Sequence, residues 1–276
     1  MRFGFTVRAS CTMLRHPREA IERVRGRIDT RADKRELGAL GRPLDEHYAV
    51  VDDWAPVLHE AIGAPWPCAE SEPFDRVWDA TVSGLAAAGL RVGLASYRGW
   101  NDGDRAQSAA AWCLVAHLRP AVVIETGVAH GLTSRVILEG LRRNGSGRLW
   151  SVDLPAIDPA LHHEIGIAVP ADLRLQWTYL EGTSRRRLPE LVRSLRRVDL
   201  FLHDSLHTTR NTYFELETVW PTLPPGGAAM ADDIHRNFGF SRFIERVDPA
   251  ASVAARHFTG DGLWGAAIKG PPRPGS

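Results

Sequence analysis

The stretch V-V-I-E-T-G-V-A-H-G, Val122 to Gly131, decides how this chain folds. A short apolar run that ends in an acid and two spaced glycines reads as a buried strand, a tight turn and then a helix. The helix extends to about Arg143, and Asn144 to Gly147 form the turn into a second strand, Arg148 to Asp153. The alternation continues downstream. A third strand is expected over Leu173 to Leu180, a helix from about Leu188 to Arg196, and a fourth strand over Val198 to His203. Thr209 to Leu223 reads as a helix stopped by Pro224, Pro225, Gly226 and Gly227, and Ala228 to Ala231 as a fifth strand. Such a succession implies a doubly wound α/β sheet, mostly parallel, with right-handed crossovers. Its end differs, because Ala251 to Phe258 and Leu263 to Lys269 flank T-G-D-G and predict an antiparallel hairpin.

Upstream, Asp104 suits the cap of a helix that runs to Leu118 before Pro120. The first ninety or so residues read as helical. Ile21, Val24 and Ile28 recur at helical spacing, Asp53 can cap a helix ending at Gly63, and another runs from about Pro73 to Leu90. The expected organisation is therefore a helical extension over 1–95, an α/β domain over 96–270 and a disordered tail over 271–276. Tyr97 to Asp104 forms a loop just before the sheet that can cover a pocket, although packing between the two parts explains Tyr97 and Trp100 as well.

Bulk properties exclude several classes. The 276 residues carry 34 Lys and Arg against 33 Asp and Glu, which leaves no broad basic field for nucleic acid. Local runs such as Arg185 to Arg187 read as solvated helix faces. No stretch reaches the roughly 20 apolar residues of a membrane helix, so the chain reads as cytoplasmic. Cys11, Cys68 and Cys113 are odd in number, far apart and in no zinc spacing, which fits reduced thiols.

In open α/β sheets, ligands bind beyond the carboxyl ends of the strands. Gly127 and Gly131 let the first turn approach a ligand closely, and Thr133 or Ser134 lies in the helical turn that follows. Asp153 ends the second strand, 26 residues after Gly127, where a carboxylate can accept hydrogen bonds from both hydroxyls of a ribose. This pair fits either NAD or S-adenosylmethionine. Glu125 tips the balance, since an acid at the mouth of the turn repels a pyrophosphate and suits an ammonium and sulfonium ligand. No full G-x-G-x-x-G is present. Ala129 lies within the same loop, and Thr183 and Ser184 follow the third strand where a polar loop can meet an adenine ring.

The fourth strand ends in F-L-H-D-S-L-H, which supplies Asp204 and His207, and the fifth in M-A-D-D-I-H, which supplies Asp232, Asp233 and His235. Neighbouring strand ends lie roughly 5 Å apart, so these acids can converge. Converging carboxylates repel one another unless a cation is present, and hard oxygen ligands suit Mg²⁺, Mn²⁺ or Ca²⁺. A cation lowers the pKa of a bound hydroxyl, and His207, three residues beyond Asp204, is the choice of base, titrating near neutral pH. Asp204 and Asp233 also suit helix caps, and His207 a structural histidine.

Together, E-T-G-V-A-H-G, S-V-D-L, the D-x-x-H of Asp204 to His207, the L-P-P-G-G turn and A-D-D-I resemble class I methyltransferases of the metal-dependent O-methyltransferase kind. The resemblance covers about residues 96–270 and is nearest the group of macrocin-type and rhamnosyl O-methyltransferases and cephalosporin-hydroxylase-like proteins. It implies a Rossmann-like sheet ending in an antiparallel hairpin. It also implies S-adenosylmethionine held by Glu125, Gly127 and Asp153, a metal held by Asp204, Asp232 and Asp233, and His207 as general base. Two departures stand out: His130 where a smaller residue is common, and Asp232 where Glu is usual. The expected activity is methylation of a hydroxyl on a sugar or other small polyhydroxylated metabolite. The rivals are an NAD-dependent oxidoreductase and a non-catalytic S-adenosylmethionine-binding module. A lid, substrate contacts or a homo-oligomer interface are the roles open to the N-terminal helices.

Overall fold

The computed structural model describes residues 14, 16–41, 43–91, 93–97, 100–154, 156–260 and 262–271. The expected tail lies almost wholly outside them, as do Cys11 and the side chains of Tyr97 and Trp100. In chain order the principal elements are α1 (Pro17–Gly38), β1 (Val50–Val51), α2 (Trp54–Ala61), α3 (Ser71–Ala87), β2 (Gly93–Tyr97), β3 (Trp100–Asp102) and α4 (Arg105–Leu118). Then follow β4 (Val122–Thr126), α5 (Leu132–Asn144), β5 (Arg148–Asp153), β6 (Trp177–Glu181), α6 (Ser184–Leu195), β7 (Leu200–His203) and α7 (Thr209–Val219). The last are β8 (Ala228–Ala231), α8 (Gly239–Val247), β9 (Ala251–Arg256) and β10 (Leu263–Ile268).

Local chemistry sets most of these boundaries. The Asp104 side chain accepts from the Gln107 amide at 2.9 Å and starts α4, and left-handed Arg119 ends it just before Pro120. Left-handed Gly145 closes α5, as glycine at a helix C-terminus usually does. Along the strands, residues point alternately to the two faces. Val123, Leu200, Leu202 and Met230 meet α2, α4 and α5 on one side. Ile124, Phe201, Ala229 and Ala231 meet α6, α7 and α8 on the other. Burial on both faces explains why these strands read as continuous apolar runs.

The large sheet has the order β1-β9-β10-β8-β7-β4-β5-β6. Strands β6, β5, β4, β7 and β8 are parallel neighbours. β10 runs antiparallel to both β8 and β9, slotted between them. This is the Rossmann-like methyltransferase arrangement, with the strand order reversing about β4.

The structure departs from the sequence reading in several places. Leu173–Gln176 is a 3₁₀ turn, so the third strand begins at Trp177. The expected loop before the sheet is an antiparallel hairpin, β2–β3, pairing Gly93 with Asp102 and Tyr97 with Trp100. The two-residue edge strand β1, parallel to β9, has no counterpart in the sequence reading, and α8 begins at Gly239 rather than from a cap at Asp233. On α1 the apolar spacing faces outward: Ile21, Val24 and Ile28 are more than half exposed. That helix is instead attached through Asp33, whose carboxylate accepts from the Thr209 amide at 2.9 Å and caps α7. Among the described residues, no helix is long and apolar enough to cross a membrane.

One glycine fixes the centre of the molecule. Gly127 has φ +88, and a Cβ there would lie 1.8 Å from the carbonyl oxygen of Asp204. Gly145, at φ +70, has open space around it. Gly127→Ala should therefore cost more than about 3 kcal/mol, from strain and overpacking together. Gly145→Ala, with left-handed strain alone, should cost about 1–2 kcal/mol. Urea denaturation of both variants measures the difference, and equal losses would contradict the close approach.

Candidate active site

The backbone ladder continues one step past the strand ends and lines up the loops of the rim. Gly182 N–H donates to Asp153 O at 2.8 Å and Gly127 N–H to Val152 O at 2.9 Å. Across the centre, Asp204 N–H donates to Thr126 O at 2.8 Å and Asp232 N–H to His203 O at 2.9 Å. The glycine turn, Asp153, Asp204 and Asp232 thus leave the sheet at one level, beside the point where strand order reverses. Such a crevice is where open α/β sheets bind ligands.

On the glycine-turn side, one Asp153 oxygen accepts from the amides of Val128 and Ala129 at 3.2 and 3.4 Å. Burial pushes this carboxyl up to about 6, against the pull of those hydrogen bonds and of the Arg23 charge. Arg23 belongs to α1, so the N-terminal helix brings a guanidinium toward the carboxylate expected to hold the ribose, which the sequence did not reveal. The loop is braced from beyond, where Gly166 N–H donates to Ala129 O and Ala168 N–H to His130 O. His130 is wholly buried beneath that bracing.

Glu125 is 1% exposed and takes hydrogen bonds from the Ser134 and Ser151 hydroxyls at 2.6 and 2.7 Å. Burial pushes its carboxyl up to about 8, so it is neutral at pH 7. A carboxyl raised this far weakens the repulsion argument that favoured S-adenosylmethionine over a pyrophosphate. Ser134 is fully buried too, with its hydroxyl committed to Glu125. Thr183 precedes α6, its hydroxyl buried without a hydrogen-bond partner, and Ser184 Oγ lies 3.4 Å from Asn211 Oδ1.

On the rim, ligand atoms of Asp204, His207 and Asp232 lie within 4.8 Å of one another, as do those of Asp232, Asp233 and His257. Burial and the neighbouring Asp232 charge push Asp204 up to about 7. Asp233 is engaged differently: its carboxylate sits 2.9 Å from His207 Nδ1 and 3.2 Å from Arg236 Nε. Despite burial, those contacts hold it well below the usual carboxylate range. Burial alone would lower His207, but its contacts with Asp204 and Asp233 raise it well above its ordinary value. The sequence reading places its titration near neutral pH, and the two acids shift it upward from there. Its Nε2 lies 3.4 Å from Asp204 Oδ1 without hydrogen-bond alignment. His257, missed by sequence reasoning because it sits on the hairpin, meets Asp232 at 2.7 Å. His235 supports β10 by accepting from the Leu263 amide at 3.1 Å.

Behind the rim lies a second feature that the sequence did not show. Glu215 on α7 is fully buried and accepts from Thr126, His203, Ser205 and Asn211 at 2.5 to 2.8 Å. Burial would raise it, yet the His203 charge and these donors hold it at about 2. This network ties β4, β7 and the Asp204 loop to α7.

A protein-family model described as "Methyltransferase domain" matches residues 124–234. The matched stretch is a methyltransferase domain, and it contains the glycine turn, Asp153, Asp204, His207, Asp232 and Asp233. No curated protein matches the sequence. Solved structures share the fold. A Klebsiella pneumoniae protein assigned as an O-methyltransferase superposes with TM-score 0.54 at 18% identity, over 79% of this chain and 98% of its own. An O-methyltransferase from Bacillus cereus, in complex with SAH, gives 0.52 at 17% identity, over 78% and 98%. The O-methyltransferase TomG from Streptomyces achromogenes, in complex with SAM, gives 0.51 at 15% identity, over 70% and 90%.

The buried acids carry opposite pH signatures. Glu125 stays protonated in the folded chain from its ordinary 4.5 up to about 8, so its contribution to stability falls as pH rises through that window. Glu125→Gln should remove this fall. Urea unfolding of the two proteins across the window should show the variant gaining on the parent as pH rises; parallel curves would contradict a neutral Glu125.

Proposed function

We propose that this chain is an S-adenosylmethionine-dependent O-methyltransferase acting on a hydroxyl of a sugar or other small polyhydroxylated metabolite. One observation carries the reading: the glycine turn with Asp153 and the acidic rim of Asp204, His207 and Asp232 leave neighbouring parallel strands at the same end of the sheet. A cofactor held by the first would present its methyl group to an acceptor held by the second. The terminal hairpin, with β10 inserted between β8 and β9, argues with Glu125 against an NAD-dependent oxidoreductase. The choice of acceptor class rests on the motif resemblance.

In this reading Asp153 accepts from the ribose hydroxyls, and Gly127 and Ala129 offer backbone that approaches the methionine end closely. Glu125, neutral and bonded to Ser134 and Ser151, shapes the floor of the pocket; its expected cofactor contact, like those of Ser134, Thr183, Ser184 and Asp204, is part of this proposal. The rim fits a divalent cation, because ligand atoms of Asp204, His207 and Asp232, and of Asp232, Asp233 and His257, lie within 4.8 Å of one another in each set. Asp204, Asp232 and Asp233 would hold Mg²⁺, which would supply positive charge to lower the acceptor hydroxyl's pKa. Asp233 accepts from His207 Nδ1 and fixes the ring, which leaves Nε2 to take the hydroxyl proton. A bound cation would offset the acids' charge and so lower the His207 pKa from its raised value.

Calorimetry of the chain with S-adenosylmethionine should show binding that weakens by more than about tenfold in Asp153→Ala, since the lost carboxylate makes charge-assisted hydrogen bonds. Turnover, screened on sugars and polyhydroxylated acceptors, should fall about 10²- to 10⁴-fold in His207→Gln with cofactor affinity unchanged. Chelator treatment should abolish turnover and Mg²⁺ restore it. Turnover indifferent to chelator would remove the cation from the mechanism, and no S-adenosylmethionine binding would sink the proposal.

A further inference from the structure

Away from the rim, α2 and α4 bring a second group of ligand-bearing side chains together. His59 on α2, Cys68 in the loop after it and His117 in the last turn of α4 offer ligand atoms that all lie within 4.8 Å of one another. Cys68 Sγ and His117 Nε2 are 3.2 Å apart. Tetrahedral zinc, with Zn–S about 2.3 Å and Zn–N about 2.0 Å, sets such a pair about 3.5 Å apart. Cys113 stands one turn before His117, at the i, i+4 spacing that puts both on one face of α4. Its buried thiol interacts with Cys68 but lies outside the group of three, so a side-chain shift would bring it in; both cysteines are free.

His59 is the independent sign of a ligand. Its ring is fully buried, and Nδ1 lies 2.6 Å from the Ala55 carbonyl, an acceptor that fixes the proton on Nδ1. Nε2 therefore carries the lone pair, and it is buried with no hydrogen-bond partner. A metal-binding histidine is prepared in this way: one nitrogen donates to a carbonyl, which orients the ring and raises the basicity of the other. The chain runs from the end of α4 straight into β4, which places this group at the amino ends of the strands, opposite the rim.

We propose that His59, Cys68 and His117, with Cys113 as fourth ligand, bind a thiophilic divalent cation of the zinc type. Two histidines and two thiolates form a closed set, as in structural zinc sites. The ion would tie α2 and its following loop to α4, stapling the N-terminal segment to the sheet domain. The sequence could not show this, because zinc spacings are read between near neighbours and these ligands come from segments about fifty residues apart.

The test is a Co²⁺ titration of the full chain after chelator treatment, followed in the near ultraviolet and visible, with zinc content measured on the protein as purified. One equivalent of Co²⁺ should give tetrahedral d–d bands and a thiolate-to-metal charge-transfer band, both displaced by Zn²⁺. Cys68→Ser and His117→Gln should weaken Co²⁺ binding by more than the roughly 100-fold that loss of an outer partner can cost. Cys113→Ser should also weaken it, and circular dichroism confirms that each variant is folded. Asp204→Asn combined with Asp232→Asn should leave the charge-transfer band intact, which separates this site from the rim. Absence of the band in the parent protein, or its survival in Cys68→Ser, would overturn the proposal.

Discussion

The contact on which the site depends is the approach of the Asp204 carbonyl to Gly127. β4 and β7 are adjacent parallel strands, and the turns that leave them pass so close that only hydrogen fits on residue 127. That closeness brings a turn suited to a cofactor and a rim suited to an acceptor into one crevice. Any side chain at residue 127 would push the two apart. The order reversal at β4 puts the two loops side by side, and the glycine sets how closely they approach.

Around that contact the chain manages buried charge in three ways. Glu125 is kept neutral by burial and two hydroxyl donors. Glu215 is kept ionised by His203 and three further donors, and so serves as a rigid pillar under the Asp204 loop. The rim shares its charge unevenly: Asp233 meets His207 and Arg236 and Asp232 meets His257, while Asp204 is raised by burial and the neighbouring Asp232. A buried carboxylate without a full set of partners is costly, and such sites cluster where chemistry is done. The contrast between the satisfied pillar and the strained rim supports the rim as the working part.

What the sequence made legible follows from how each signal is encoded. β4, β5 and β8 have their expected bounds because buried parallel strands are unbroken apolar runs closed by turn residues. Asp204, His207 and Asp232 were readable because they sit at strand ends, where topology alone forces convergence. β1 was invisible because two residues carry no period, and the Leu173–Gln176 turn because it is as apolar as the strand it precedes. The burial of Glu125 was misjudged since nothing local announces Ser151 as its partner from the next strand. Glu215, His257 and the His59 cluster are long-range constructions, assembled by the fold from residues that look unremarked in sequence. Arg23 belongs with them, since the docking of α1 against α7 and α8 brings its charge to Asp153.

The most direct test of the single-crevice account is a crystal structure of the chain soaked with S-adenosylhomocysteine and Mn²⁺, with anomalous data. The account predicts the ribose on Asp153, the sulfur pointing across Gly127 toward the rim, and an anomalous peak among Asp204, Asp232 and Asp233. A nucleoside bound away from Asp153, or manganese with no contact to those acids, would contradict it.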